Sequence, residues 1–190
     1  MITLKQLIFL TGRPGVGKTS VLLRAINSLK AKEYTIGGMI SREFRDHGVR
    51  VGFEIVDIKT GKKGWLAHVN QPNGPRVGKY RVNLHDLKTI GVYSILKAVE
   101  ESDVVVVDEI GPMELFSCDF KEAVIRSIES KKPLIGTIHY RAHNPLINTI
   151  KADEDAEILE VTQNNRECLH SVLIDRVLQF IRSRSSCFSG

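Results

Sequence analysis

An apolar run, Leu7-Ile8-Phe9-Leu10, leads straight into Thr11-Gly12-Arg13-Pro14-Gly15-Val16-Gly17-Lys18-Thr19-Ser20. No other stretch restricts the fold as strongly. An unbroken apolar run of this length fits a strand covered on both faces. Residues Gly17 to Lys30 follow, with Val21, Leu22, Ala25, Ile26 and Leu29 at helical spacing. Between strand and helix, the pattern Gly-x-x-x-x-Gly-Lys-Thr spans Gly12 to Thr19. Gly12, Gly15 and Gly17 allow turns that side chains would block. Successive N–H groups then face inward on an anion, helped by the positive end of the helix, which makes Gly12, Arg13, Pro14, Gly15, Val16, Gly17, Lys18, Thr19 and Ser20 the nucleotide-binding candidates. Lys18 has little structural reason to sit beside such a nest unless an anion is bound. Its expected place is on β- and γ-phosphates, with the Thr19 hydroxyl on Mg²⁺.

The rest of the chain alternates strand-like and helix-like segments. Strands are expected at Thr35–Phe44, Arg50–Ile58, Trp65–Val69, Asp103–Asp108, Leu134–Ile138 and Glu157–Val161. Helices are expected at Leu84–Glu101, Phe116–Lys131, Pro145–Ile150 and Arg166–Arg182. The Pro-, Gly- and Asn-rich segment Gln71–Gly78 reads as a loop. Repeated strand–helix units imply an α/β fold with a mostly parallel sheet flanked by helices. Residues 40 to 70 form an antiparallel extension of it. The expected organisation is a single domain over residues 1–182, followed by a Ser-rich, disordered tail at 183–190.

Val104-Val105-Val106-Val107 ends in Asp108 and Glu109. An aspartate at the end of a buried strand, downstream of a phosphate loop, fits a Mg²⁺ ligand. The adjoining Glu109 is placed to polarise a water for in-line attack on a γ-phosphate. Lys18 and Glu109 are therefore the catalytic candidates, and Thr19 and Asp108 the metal-binding ones.

These strings resemble the THEP1 family of nucleoside-triphosphatases. The most specific part is Asp108-Glu109-Ile110-Gly111-Pro112-Met113-Glu114-Leu115. Arg76-Val77-Gly78-Lys79-Tyr80, Gly136-Thr137-Ile138-His139 and Asn165-Arg166 follow the same pattern, in the same order, across roughly Lys5 to Ile181. The resemblance implies a P-loop NTPase fold and hydrolysis of NTPs to NDP and phosphate with broad base tolerance.

Further candidates carry two readings each. Thr137 and His139 end the strand expected beside Asp108, where a polar group senses the γ-phosphate or the attacking water. His139 reads equally as an ordinary strand-end histidine. His139 and His143 share zinc-ligand spacing, but no acid or cysteine completes the set. Arg76 and Lys79 are either cationic fingers over the phosphates or solvated loop charges. Asn165 and Arg166, with Asn164, either border the base and ribose or cap the last helix. Glu114 either supports the neighbouring acids or favours a helix N-terminus. Trp65 reads as packing in the extension, with base stacking as the alternative.

Composition narrows the partners. With 42% hydrophobic and 26% charged residues the chain is neither disordered nor a rod. No apolar run approaches the roughly 20 residues that span a bilayer, so no membrane partner is expected. Three widely spaced cysteines point to a reducing, cytoplasmic setting without disulfides. The net charge of +5 is thinly spread, which favours nucleoside triphosphates over nucleic acid as partners. Oligomeric state is left open. The leading reading is a Mg²⁺-dependent nucleoside-triphosphatase. The alternatives are a nucleoside or nucleotide kinase, and an NTP-dependent RNA-binding switch motivated by the basic turn Lys59–Lys63.

Overall fold

The computed structural model describes residues 4–187. Its nine strands form one sheet in the order β5-β6-β4-β3-β2-β7-β8-β1-β9. The strands are β1 (Leu7–Thr11), β2 (Ile36–Asp46), β3 (Val49–Asp57), β4 (Lys63–His68), β5 (Arg76–Val77), β6 (Tyr80–Val82), β7 (Val104–Ile110), β8 (Leu134–Ile138) and β9 (Ala156–Glu160). The helices are α1 (Lys18–Lys30), α2 (Leu84–Asp86), α3 (Tyr93–Glu101), α4 (Cys118–Glu129), α5 (Pro145–Ala152) and α6 (Leu169–Cys187).

Strands β2, β7, β8, β1 and β9 pair in parallel. The apolar runs of β1, β7 and β8 are explained by burial on both faces. Along β1, Leu7 and Phe9 enter one core cluster while Ile8 and Leu10 enter the other. Along β7, Val105 and Val107 join the first and Val104 and Val106 the second. Helices α1 and α6 cover the second face with Leu22, Leu29, Leu173 and Val177, and α3 and α4 cover the first with Ile95, Phe120 and Val124. The alternation of side-chain direction along a strand thus feeds two layers from one sequence run.

The antiparallel extension is larger than its expected span. From Met39 onward β2 pairs with β3 through the two-residue turn His47-Gly48, both at positive φ, as a tight hairpin requires. Strands β4, β6 and β5 follow. The segment read as a loop at 71–78 therefore ends in β5, part of a hairpin too short to show a period in sequence. The expected helix Leu84–Glu101 contains a wider π turn, Leu87–Val92, which brings Val92 as well as Leu87 and Ile90 into the core. Gly91 lies against Met39 there, where a Cβ would stand 2.9 Å from the sulfur. A single turn of 3₁₀ helix, Glu114–Phe116, precedes α4, whose N-cap Ser117 accepts from the Phe120 N–H. The last helix starts later than expected, after turns at 163–168, and continues past Arg182 to Cys187. Residues 188–190 of the expected tail lie outside the described residues.

Candidate active site

The loop after β1 is held open by backbone geometry rather than by side chains. Gly12, Gly15 and Gly17 all take positive φ, and a Cβ on Gly12 would stand 2.6 Å from the Val161 carbonyl oxygen. Gly17 caps α1 in the left-handed region and leaves the first N–H groups of the helix unpaired by any side-chain cap. Lys18 folds back so that Nζ donates to the Gly12 carbonyl at 3.2 Å. Its other neighbour is Glu109, with Nζ 3.7 Å from Oε1, an ion pair too long for a hydrogen bond.

Parallel pairing brings the acids to this loop. Asp108 is 1% exposed, and its two oxygens accept from Thr19 Oγ1 at 2.9 Å and Thr137 Oγ1 at 2.5 Å. Burial pushes its carboxyl up to about 6, against the pull of the two hydroxyls. Burial also raises Glu109, and Lys18 opposes the rise. Glu109 Oε1 is buried without a hydrogen-bond partner among the described residues. Glu114 is 4% exposed, and burial, followed by the charge of Glu109, pushes it up to about 8. His139 is half-buried; burial and then Lys18 lower its pKa, so its ring is neutral at neutral pH. His139 Nδ1 accepts from the Arg141 N–H at 3.3 Å, which leaves the proton on Nε2.

These groups line one cleft of about 500 Å³ between the phosphate loop and the antiparallel extension. Lys18, Thr19, Asp108, Glu109, Thr137 and His139 all face it, as do Pro14, Gly15, Gly17 and Ser20. Arg13 is exposed, and its carbonyl accepts from the Val16 N–H within the loop. The donor set fits a divalent cation. Thr19 and Asp108 offer hard oxygens side by side, and Lys18 is one cation among three acids. A Mg²⁺ ion held by Thr19 and Asp108 would offset the burial that raises the Asp108 carboxyl.

Other candidates fall elsewhere. Arg76 and Lys79 are exposed on the β5–β6 hairpin and do not line the cleft. Short strands had been hidden in a Gly/Pro-rich stretch, and pairing carries both charges to the sheet edge. Lys79 lies over the Tyr80 ring instead, 5.4 Å from its centroid. Asn165 is spent on a turn: Oδ1 accepts from the Thr162 N–H at 2.8 Å and Nδ2 donates to the Glu160 carbonyl at 2.9 Å. Arg166 lies near Gly17 and pairs loosely with Glu167 at 3.5 Å. Trp65 packs edge-on to Phe44, 5.1 Å between centroids, in the extension. No helix joins His139 to His143, since α5 begins only after the N-cap Asn144, and no metal-binding group of three side chains occurs among the described residues.

Sequence reasoning missed the far wall of the cleft, made by Ser41, Arg42, Glu43 and Arg50. Their signal was available in the His47-Gly48 turn. Once its register is set, Arg45 faces Arg50 and Glu43 faces Phe53.

Fold and cleft together define a phosphate-loop NTPase: a parallel sheet with the Gly12–Thr19 loop and the Asp108-Glu109 pair at one edge. A family model described as NTPase matches residues 7–174. The nucleoside-triphosphatase THEP1 of Thermofilum pendens is 42% identical over 173 residues, covering 90% of this chain and 95% of that protein. The THEP1 of Methanopyrus kandleri is 40% identical, covering 93% and 98%. Among solved structures, the crystal structure of THEP1 from Aquifex aeolicus superimposes with a TM-score of 0.80 at 28% identity, covering 90% of this chain and 98% of that one. The solution structure of a human cancer-related nucleoside triphosphatase gives 0.77 at 32%, covering 90% and 97%. The chain belongs to the THEP1 family of nucleoside-triphosphatases. No described helix is long and apolar enough to cross a membrane.

Proposed function

We propose that the chain hydrolyses nucleoside triphosphates to the diphosphate and phosphate, requires Mg²⁺, and accepts all four common bases. The observation that carries this reading is the Glu109 carboxylate. Its side chain is 26% exposed, its buried Oε1 has no hydrogen-bond partner among the described residues, and it faces the cleft beside Lys18. A half-buried carboxylate with an oxygen unspent on the protein is placed to accept from a water held for attack.

The other roles follow from position. The N–H groups of the loop and the Lys18 ammonium bind the β- and γ-phosphates and stabilise the charge that builds up as the γ-phosphoryl departs. Thr19 and Asp108 hold the metal, which when bound neutralises phosphate oxygens. Thr137 fixes the Asp108 carboxylate from the opposite side. Glu109 orients the water and takes its proton, and neutral His139 stands as a second polar group at the same edge. Base tolerance is supported by what surrounds the loop: it addresses phosphates, and the Asn165 amide has both ends engaged by backbone. The single continuous sheet supports one domain over residues 1–182. The exposed free thiols Cys118 and Cys168 support a cytoplasmic setting.

The test is product analysis of purified protein with ATP, GTP, CTP and UTP, with Mg²⁺ or EDTA, and without any acceptor. Phosphate release with Mg²⁺ from all four is expected. Hydrogen-bond discrimination of one base can reach about 10⁴-fold. A kcat/KM preference of that size would overturn the base-tolerant reading, and release only with an acceptor would overturn hydrolysis itself.

A further inference from the structure

The cleft extends beyond what phosphate chemistry uses. Past Glu109 its wall passes to the antiparallel extension, where Phe53, Leu66 and Val77, joined by Met113 from the loop after β7, give an apolar surface. At the mouth stand two guanidinium groups. Arg50 is pre-oriented: Nε donates to Tyr80 Oη at 3.0 Å and Nη1 to Glu43 Oε1 at 2.6 Å. Its Cζ lies 5.3 Å from the Phe53 centroid and 5.8 Å from that of Tyr80. Its Nη2 has no partner among the described residues. The Glu43 carboxylate is already shared with Arg45, at 2.9 Å, so it does not cancel the rest of the mouth. Arg42 lines the same opening with no ion-pair partner among the described residues. At the inner end, the buried Glu114 side chain faces the space from beside Met113.

We infer that this half of the cleft is a second small-molecule site, which binds a phosphorylated compound with a flat ring, such as a nucleoside monophosphate. A guanidinium fork pairs with two oxygens of a tetrahedral phosphate at once, and here Arg50 is fixed in place with Arg42 at the same opening. A wall of Phe53, Met113 and aliphatic side chains suits the face of a ring. A buried carboxyl at the inner end supplies the hydrogen-bonding group that orients it. The occupant would lie across Glu109 from the phosphate loop. The inference rests on the triphosphatase reading only for which end of the cleft takes the triphosphate.

The experiment is calorimetric titration of AMP, GMP, CMP and UMP into the protein saturated with Mg²⁺ and a non-hydrolysable triphosphate analogue. Ribose 5-phosphate and the unphosphorylated nucleosides serve as controls. Saturable binding of at least one monophosphate is expected, weaker by about tenfold or more when either ring or phosphate is removed. Arg42→Ala should weaken it by a similar factor and Arg42→Lys by less, with thermal unfolding verifying that both variants are folded. No binding, displacement by the triphosphate analogue, or affinity unchanged in Arg42→Ala would overturn the second site. Phosphate release by the wild-type protein, measured in parallel, reports on the triphosphatase reading separately. If the analogue itself fails to bind, the phosphate-loop reading has failed. The titration of free protein then still decides the second site through Arg42→Ala.

Discussion

The parallel and antiparallel regions of the sheet face the same cleft but are built from different kinds of information. In the parallel region, chemistry is local. Ten consecutive residues make the phosphate loop, and two consecutive acids end β7. In the antiparallel region, the cleft wall comes from Ser41–Glu43, Arg50, Phe53, Leu66 and Val77, scattered over four strands. The first wall carries backbone N–H groups and acids, which any nucleoside triphosphate can engage. The second carries guanidiniums and apolar side chains, and on the inference above it would choose among ligands. On that reading one region is suited to doing chemistry and the other to deciding on what.

The largest test of that division is Lys18→Ala. It removes a cation aimed at the transferred phosphoryl group, so turnover should fall below detection and triphosphate binding should weaken. Near-normal steady-state turnover in the folded variant would end the assignment of chemistry to the parallel region. Glu109→Gln should come next. Phosphate release in a single turnover should drop by about 10²–10⁴-fold while nucleotide binding persists. Asp108→Asn should instead raise the Mg²⁺ concentration needed for activity. A Glu109→Gln variant within a few-fold of wild type would move water activation elsewhere, with His139 the next candidate.

A third prediction sits on the boundary between the regions. Glu114 is raised from the usual 4.5 to about 8, first by burial and then by the charge of Glu109. The fold therefore prefers it protonated. Its contribution to stability is fully present below its unfolded pKa and is lost as pH rises from there through the folded value. The metal-free protein should thus lose stability between about pH 5 and pH 8. Asp108 and Glu109, raised in the same direction, act with the same sign, so Glu114→Gln should reduce this slope without abolishing it. Denaturant midpoints at the two pH values measure it, and an unchanged slope would refute the role given to Glu114. The smallest effect is expected from Arg76→Ala and Lys79→Ala, at exposed edge positions outside the cleft. Surface changes of this kind usually stay within about 0.5 kcal/mol, and kcat/KM should move less than about twofold. A large loss would mean that the β5–β6 hairpin reaches the phosphates after all.

The same contrast governs what could be read in advance. Leu7–Leu10 and Val104–Val107 announced buried parallel strands because both faces demand apolar side chains. Gly12, Gly15, Gly17, Lys18, Thr19, Asp108 and Glu109 were legible because each has a chemical reason tied to its immediate neighbours. Thr137 was placed correctly because a strand beside Asp108 had to end there. Arg42 and Arg50 were passed over although the His47-Gly48 turn sets their register, since on such strands a ligand-facing arginine and a solvated one have the same pattern. Arg76 and Lys79 kept two readings for the opposite reason. Their Gly/Pro-rich surroundings look like a mobile loop, and strands of two or three residues leave no period to detect. Asn165 needed the turn at 163–168 before the engagement of its amide by Thr162 and Glu160 could be seen.

Met39 and Ile40 of β2 have partners on both sides. Met39 pairs with Val107 and Asp57, and Ile40 with Asp108 and Val56. One strand is therefore a common beam for both walls of the cleft, and swinging one wall against the other would tear its ladder at the residue opposite Asp108. Many phosphoryl-transfer enzymes keep water out by closing one lobe over the other. A shared beam denies this fold that movement at the place where it would matter most. Selectivity between ligands then depends on how well each fits two walls joined through one strand.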